Sequence, residues 1–356
     1  MTCSQGLQGT AALDGLESGE TAYQRVALVG CGQRFAVSVA PTLIRAKALV
    51  VLAADPDPEA RGKVTSIAPC ASDLILAASL TRQQLIEAGA QAIIISSPSG
   101  LHFEHCMTAL SCGLPTFVEK PVACTAPDAV ALRAASQGRL VTSEQRVYRE
   151  DLGYIRSVVE SGVLGEISEL NYHDSVIPAQ HFTRTWRNDP QLAGGGVLLD
   201  LGYHTVSCVQ WLLALKSEDI VVTGARLTTS GLRVEDAAEV FCQVGGTKIS
   251  LDIRLVRLAP REAIVIRGSQ GELRMYRERR KKSAVVDISL AVNGESPTRL
   301  GVPLDQRIDS KSLLDFLCGR IDTGRLDRHI EALEFIEQAY EYSGFRPKQK
   351  GCAQCS

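Results

Sequence analysis

The sequence predicts an α/β chain in two domains: a doubly wound, parallel-sheet domain, then an α+β domain built on a large, mostly antiparallel sheet. Three observations carry this. From residue 25 to about 145, short apolar runs alternate with amphipathic stretches, the rhythm of buried strands joined by helical crossovers. The first run passes straight into a Gly-x-Gly turn. After about residue 146 the alternation gives way to one long helical segment and a succession of strands. The length of 356 residues and the 45% apolar content suit about two domains with real cores.

Residues 1–23, rich in Gly, Ser, Thr and Ala, read as a flexible leader. With Asp14, Glu17 and Glu20, no basic residue before Arg25 and no long apolar run, it does not suit a signal peptide. Within the first domain, residues 24–145, strands are predicted at 25–29, 49–54, 92–96, 116–119 and 140–143. Helices are predicted over 82–88, 101–112 and 127–136. Thr81 can cap the first of these helices and Gly89 end it; Thr125, followed by Pro127 and Asp128, opens the last, with Gly138 near its exit. In the second domain, residues 146–345, a long helix is predicted over 196–213. Strands follow at 220–229, 238–244, 248–258, 263–267, 272–276 and 284–290, with GSQG, Gly268 to Gly271, as a hairpin connection. Helices over 310–318 and 326–342 and a polar tail, 346–356, close the chain.

Lys plus Arg number 38 against 40 Asp plus Glu, a net charge of −2. No general attraction to a polyphosphate backbone or an anionic membrane follows from that balance, so neither nucleic acid nor membrane is an expected partner. No segment reaches the roughly 18 uninterrupted apolar residues of a membrane span. The 11 cysteines have no framework spacing, which fits reduced thiols in a cytoplasm.

The first strand runs into GCGQRF, residues 30–35. Gly30 can make the tight turn and Gly32 can let backbone amides approach a pyrophosphate, the arrangement of a Rossmann dinucleotide-binding domain. Gln33 and Arg34, in the same loop, become candidate cofactor contacts. Phe35 stands where the full fingerprint has a third small residue, and Pro41 limits the first helix. Asp55 closes the second strand, 23 residues after Gly32, and suits an acceptor for the adenosine-ribose hydroxyls. Its charge opposes a ribose 2′-phosphate, so NAD is favoured and NADP is possible, Arg34 and Arg61 softening the preference. The plainer alternatives are an ordinary strand-to-helix turn and a solvated DPDP turn.

Glu119, Lys120 and Pro121 fall at the carboxyl end of a predicted central strand, where open α/β sheets bind ligands. A residue before proline is held extended, which would aim the Lys120 ammonium at a fixed point. A cation so placed stabilises an alkoxide as a hydroxyl loses its proton. Asp200 and His204, four positions apart on the predicted helix, share one face. An imidazole titrates near neutrality and can move a proton in either direction. Gly194, Gly195 and Gly196 would let substrate or cofactor approach the helix start. The alternative is that Asp200 and His204 merely satisfy one another on a core helix.

Together with GCGQRF, the segments SSPSGLHFEH (96–105), GLPTFVEKPVA (113–123), ESGVLGEI (160–167) and WRNDPQLAGGGVLLDLGYH (186–204) form a recognisable series. In order and spacing they resemble the glucose-fructose oxidoreductase, inositol dehydrogenase and MocA family of nicotinamide-dependent oxidoreductases, over about residues 25–344. EKP and DxGxH together are the specific part. The resemblance implies hydride transfer between NAD(P) and a secondary alcohol or ketone of a sugar, cyclitol or nucleotide-sugar derivative. It implies that His204 is the general acid or base, Lys120 the hydroxyl ligand and proton partner, and Asp200 the orienting group. It places Ser97, Pro98, His102, Glu119 and Gln145 beside the cofactor, and Arg146, Trp186 and Arg187 beside the substrate. It also implies a homodimer or homotetramer paired through the exposed face of the second sheet. Ser207 and Ser99 depart from the common pattern at positions that bear on substrate shape. A redox-cycling glycosidase or epimerase with tightly bound NAD, and a non-catalytic nicotinamide-sensing regulator, are the alternatives; intact Lys120 and His204 argue against the regulator.

Other signals mean less. Cys352 and Cys355 have a metal or redox spacing without a second pair, and no metal site is expected. RERRKK, residues 277–282, reads as a solvated hairpin end, with a phosphate grip as the sharper alternative. His173 and His181 form no recognisable ligand set.

Overall fold

Alternating apolar runs and crossovers become, in a computed structural model, a parallel sheet of β1 (Arg25–Val29), β2 (Leu49–Ala54), β3 (Cys70–Ala77), β4 (Ala92–Ile95), β5 (Thr116–Val118) and β6 (Leu140–Thr142). The structure describes residues 22–178, 185–279, 285–303, 310–320 and 325–345. The spatial order is β3-β2-β1-β4-β5-β6, so the strand order reverses between β1 and β4, where doubly wound sheets bind dinucleotides. Every residue of β4 is buried, as a strand covered on both faces requires.

The crossovers are α1 (Ala40–Ala46), α2 (Pro58–Ile67), α3 (Arg82–Glu87), α4 (His102–Ser111) and α5 (Ala126–Ser136). A wide π turn at Phe35–Val39 precedes α1. Pro41 explains it: its ring lacks an N–H and crowds the carbonyl four residues back, so a regular helix cannot run through. Phe35 is fully buried with Val39, Leu43, Phe117 and Phe316, so the position reserved for a small residue is filled by core packing. Thr81 and Gln84 form a capping box on α3, and Thr125 caps α5. The sequence reading did not include α2 or β3. Val64 is the only buried residue of α2, and β3 is an edge strand with one buried residue, so neither carries a strong apolar period.

The second sheet holds β7 (Ile167–Val176), β8 (Val221–Thr228), β9 (Ala237–Val244), β10 (Thr247–Leu255), β11 (Arg261–Gly268), β12 (Gly271–Glu278), β13 (Val285–Val292) and β14 (Thr298–Pro303). Its order is β14-β13-β12-β11-β7-β10-β9-β8, antiparallel throughout except where β7 lies parallel to β10. The GSQG connection joins β11 to β12 as expected. One face buries Leu170, Ile249, Leu251, Ile253, Ile264, Ile266 and Leu273, under α6 (Glu150–Glu160), α8 (Tyr203–Leu213) and α10 (Arg325–Ser343). The other face exposes Val221, Phe241 and Tyr276. A short α7 (Pro190–Ala193) and α9 (Lys311–Leu317) complete the described helices. Helix α9 crosses back to the first sheet, where Phe316 packs 5.7 Å from Phe117, ring to ring. The predicted helix over 196–213 divides into a π turn, Leu198–Gly202, and α8. Among the described residues no helix is long and apolar enough to cross a membrane.

Candidate active site

Gly30 takes φ +87°, and a Cβ there would lie 2.5 Å from the backbone of Ser96, so the turn out of β1 requires glycine. At Gly32 a Cβ would meet no protein atom within 4 Å, which leaves the backbone open to close approach. Asp55 stands at the carboxyl end of β2, accepting from the amides of Cys31 (2.8 Å) and Asp57 (2.9 Å). It thereby couples the loop to the strand where a ribose would be read. Burial, with the Asp55 charge beside it, pushes the Cys31 thiol up to about 12 and leaves it inert.

Arg34 leaves the loop for Glu119, its Nε donating at 2.6 Å. With its amide oxygen turned to the same guanidinium, Gln145 accepts from Nη1 at 3.3 Å. The second Glu119 oxygen accepts from Ser143 at 2.8 Å, and Ser143 in turn accepts from the Lys120 amide at 3.1 Å. Glu119 and Gln145, assigned to the cofactor, thus hold Arg34 across the ends of β5 and β6. Ser143 was not foreseen, although its place at the end of β6 marks it by the same rule that marked Glu119.

His102 corrects the expectation of a nicotinamide contact. It is 1% exposed, its nitrogens facing the carbonyls of Pro121 (2.7 Å) and Ser97 (2.9 Å), and it braces the cis Lys120–Pro121 segment from behind. Ser97 pairs with His105 at 2.9 Å, and Pro98 precedes the turn into α4.

Lys120 reaches into the second domain. Its Nζ donates to Asp200 Oδ1 at 2.6 Å and to the Asp200 carbonyl at 2.8 Å. The other carboxylate oxygen meets Arg187 Nε at 3.4 Å, and the Arg187 guanidinium stacks 4.4 Å over the Trp186 ring. Burial raises the Asp200 carboxyl, but Lys120 and Arg187 outweigh it and hold the group below the ordinary value. Trp186, Arg187 and Asp200 line a cavity with Ser99, Val176 and Leu255.

Asp200 lies in the π turn and His204 in α8, so they are not stacked on one regular helical face as expected. His204 borders a neighbouring cavity with Ser143, Glu144 and Arg146. Burial, reinforced by Lys120, Arg146, Arg34 and Arg279, holds its imidazole well below the usual histidine range. The ring is therefore neutral near pH 7 and able to accept a proton. The three glycines before the turn are required by close protein packing, and Gly195 and Gly196 also line the cavity beside Asp200. At Gly196 a Cβ would fall 2.1 Å from the Glu235 carbonyl, while the Glu235 carboxylate accepts from the amides of Gly196 (2.9 Å) and Leu198 (3.1 Å).

Arg146, expected beside the substrate, borders the His204 cavity but commits its guanidinium to the protein. It is buried, bonded to Tyr172 and Asp174, in a cluster with Arg149, Asp151, Glu262, Arg277 and Arg279. Burial opposes ionisation of Glu262, but Arg149, Arg146 and Arg279 hold its carboxyl well below the ordinary range. Arg277 and Arg279 thus turn inward from RERRKK, against the reading as a solvated end, while residues 280–282 lie outside the described residues. Cys352, Cys355 and His181 also lie outside them. His173 pairs with Asp252 at 2.8 Å, and no group of three metal-ligating side chains occurs among the described residues.

The glycine turn at the switch point, the acid ending β2 and the lysine ending β5 over a separate sheet domain define a nicotinamide-dinucleotide oxidoreductase. Residues 24–144 match the profile described as "Oxidoreductase family, NAD-binding Rossmann fold" and residues 153–274 the "GFO/IDH/MocA C-terminal domain"; the chain belongs to this GFO/IDH/MocA family. It is an NAD(P)-dependent oxidoreductase. A putative UDP-kanosamine synthase oxidoreductase subunit of Amycolatopsis mediterranei is 28% identical, covering 72% of this chain and 76% of that one. The rhizopine catabolism protein MocA of Rhizobium meliloti is 27% identical over 62% of this chain and 67% of its own. Among solved structures, the fold matches KijD10, a 3-ketoreductase from Actinomadura kijaniata in complex with NADP and TDP-benzene. That match has a TM-score of 0.74 and 19% identity, over 89% of this chain and 97% of that one. It also matches the WlbA dehydrogenase from Chromobacterium violaceum in complex with NADH and UDP-GlcNAcA, with TM-score 0.71 and 19% identity, over 91% and 95%.

Proposed function

We propose that this oxidoreductase interconverts a secondary alcohol and a ketone on a sugar, cyclitol or nucleotide-sugar derivative. The Lys120–Asp200 ion pair carries the reading: it sets a fixed cation at the carboxyl edge of β5, with a neutral imidazole four residues after the carboxylate. Gly30, Gly32, Gln33, Arg34 and Asp55 would hold the dinucleotide. When bound, its nicotinamide supplies the hydride acceptor or donor. Lys120 has three N–H donors and spends two on Asp200, which leaves the third for the reacting oxygen. The ammonium stabilises negative charge on that oxygen while His204 takes or returns its proton. Asp200, with Arg187 on its other oxygen, holds the lysine and presents acceptors to neighbouring hydroxyls.

NAD is the favoured cofactor because Asp55 puts a carboxylate where NADP carries its 2′-phosphate. The KijD10 structure holds NADP and the WlbA structure NADH, so the fold accepts either. The test is nicotinamide absorbance against a panel of sugars, cyclitols, nucleotide sugars and their keto forms, with NAD and NADP in parallel. Turnover by the native chain and its loss in Lys120→Met support the reading; retained turnover in the variant refutes it. Activity without added cofactor, with nicotinamide released on denaturation, selects the redox-cycling alternative. The apolar positions Val221, Phe241 and Tyr276 on the open sheet face support homo-oligomer pairing there, which sedimentation checks. The eight free thiols among the described residues support a reducing, cytoplasmic setting.

A further inference from the structure

We propose that the proton His204 exchanges with substrate travels through a water in the cavity beside it to Glu144, with His329 orienting that water; both are buried side chains that act through His204 rather than on substrate. The proposal rests on the reading of His204 as the acid–base group. The cavity is bordered by Ser143, Glu144, Tyr203, His204, Ser207 and His329 and has room for about one water. These side chains are polar, and Arg146, Val147 and Cys208 complete the lining, so a water there has polar partners on several sides.

Helix α10 supplies the far wall. Tyr203 stacks on His329 with ring centroids 5.4 Å apart, and its hydroxyl bonds Nδ1. That bond engages Nδ1 of His329, so Nε2 is the His329 nitrogen that can bond a cavity water. Ser207 Oγ lies 3.5 Å from Glu144 Oε1, and Arg328 Nη1 lies 3.8 Å from the same oxygen. The Arg328 side chain is 29% exposed, so the network meets solvent there. The charged and titratable groups facing this space are Arg146 after β6, Tyr203 and Cys208 from α8, and Arg328 and His329 from α10, besides Glu144. With Lys120, Arg146, Arg34 and Arg279 around it, an imidazolium at His204 is disfavoured and must pass its charge on.

During alcohol oxidation the O–H electrons stay on oxygen and the proton joins one ring nitrogen of His204. The imidazolium releases the proton of its other nitrogen to the cavity water, which passes one of its own to Glu144 and on toward solvent beside Arg328. Ketone reduction runs the same path inward. Glu144→Gln and His329→Gln are therefore expected to lower kcat about tenfold, less than the hundredfold or more for loss of the acid–base group itself. KM stays within about twofold and imidazole buffer restores the rate. The assay uses the full chain with NAD and myo-inositol. The 15N-histidine spectrum of the same protein needs no turnover and should show the His204 midpoint displaced downward in Glu144→Gln. Unchanged kcat, pH profile and His204 titration in both variants, with His204→Gln inactive, overturn the relay and leave the proposed function standing. Full turnover in His204→Gln overturns both.

Discussion

The ammonium of Lys120 is latched to Asp200 twice, at 2.6 Å on the carboxylate and at 2.8 Å on the backbone carbonyl. One side chain from the end of β5 thus grips both the side chain and the main chain of a π turn in the other domain. The wide turn matters here, since its geometry places residue 200 toward β5 while the following residues resume a regular α8.

Lys120→Met removes the cation without removing the aliphatic stem. The expected result is a fall in kcat/KM of about a thousandfold or more, with NADH affinity, read by nicotinamide fluorescence, within about twofold of the native value. Asp200→Asn keeps the carbonyl latch and gives up the charge, so its kcat should fall less than that of Lys120→Met. Equal losses would mean that Asp200 does more than hold the lysine.

The pH dependence of stability follows from His204. Its folded pKa lies well below 6.5, through burial and the cations around it, while the unfolded chain titrates near 6.5. Above 6.5 neither state is protonated and His204 adds no slope. As pH falls from 6.5 toward the folded value, the unfolded chain binds a proton that the fold refuses, so stability falls with it. The drop in Tm across that window should be smaller in His204→Gln, by calorimetry; parallel curves would show that the ring is not held neutral.

Much of this site was legible because its parts obey local rules. Gly30, Asp55 and Glu119 each end a strand whose apolar run announces it, and the carboxyl ends of parallel strands are where ligands gather. Strand β7 was missed for the opposite reason: its inward positions include Tyr172 and Asp174, so polar groups interrupt the alternation that marks a half-buried strand. The partners of those groups, Arg146, Glu262 and Arg279, lie tens of residues away or more, and only the sheet order brings them together. His102 shows the same limit. A histidine at a helix start can face a ligand or a pair of carbonyls, and the choice belongs to the packing of Pro121 against it.

Glu235 anchors the π turn from below. Its carboxylate accepts from Gly196, Leu198 and the Tyr340 hydroxyl, and burial raises its pKa against those hydrogen bonds. Glu235→Ala strands two buried amides, a loss of about 3 kcal/mol in denaturant unfolding. Glu235→Gln keeps an oxygen for the amides and removes a charge that burial disfavours, so it should hold its Tm close to native. A large loss in the Gln variant would assign the anchoring to charge.

Asp55 decides the last prediction because it has two duties that can be separated. It accepts from Cys31 and Asp57 amides at 2.8 and 2.9 Å, and it presents negative charge at the end of β2. A carboxylate has about four lone-pair sites, so two amides leave acceptors for ribose hydroxyls. Asp55→Asn keeps an oxygen toward the loop and discards the charge. The ratio of kcat/KM for NADP to that for NAD should then rise about tenfold, equivalent to about 1.4 kcal/mol. Asp55→Ala removes both duties and should cost about 1–3 kcal/mol of stability besides, as the amide donors lose their partner. Arg61, whose guanidinium bonds the Asp55 carbonyl, stands ready to meet a 2′-phosphate once the carboxylate is gone. If the ratio stays fixed in Asp55→Asn while affinity for both dinucleotides falls, Asp55 shapes the loop and does not choose the cofactor.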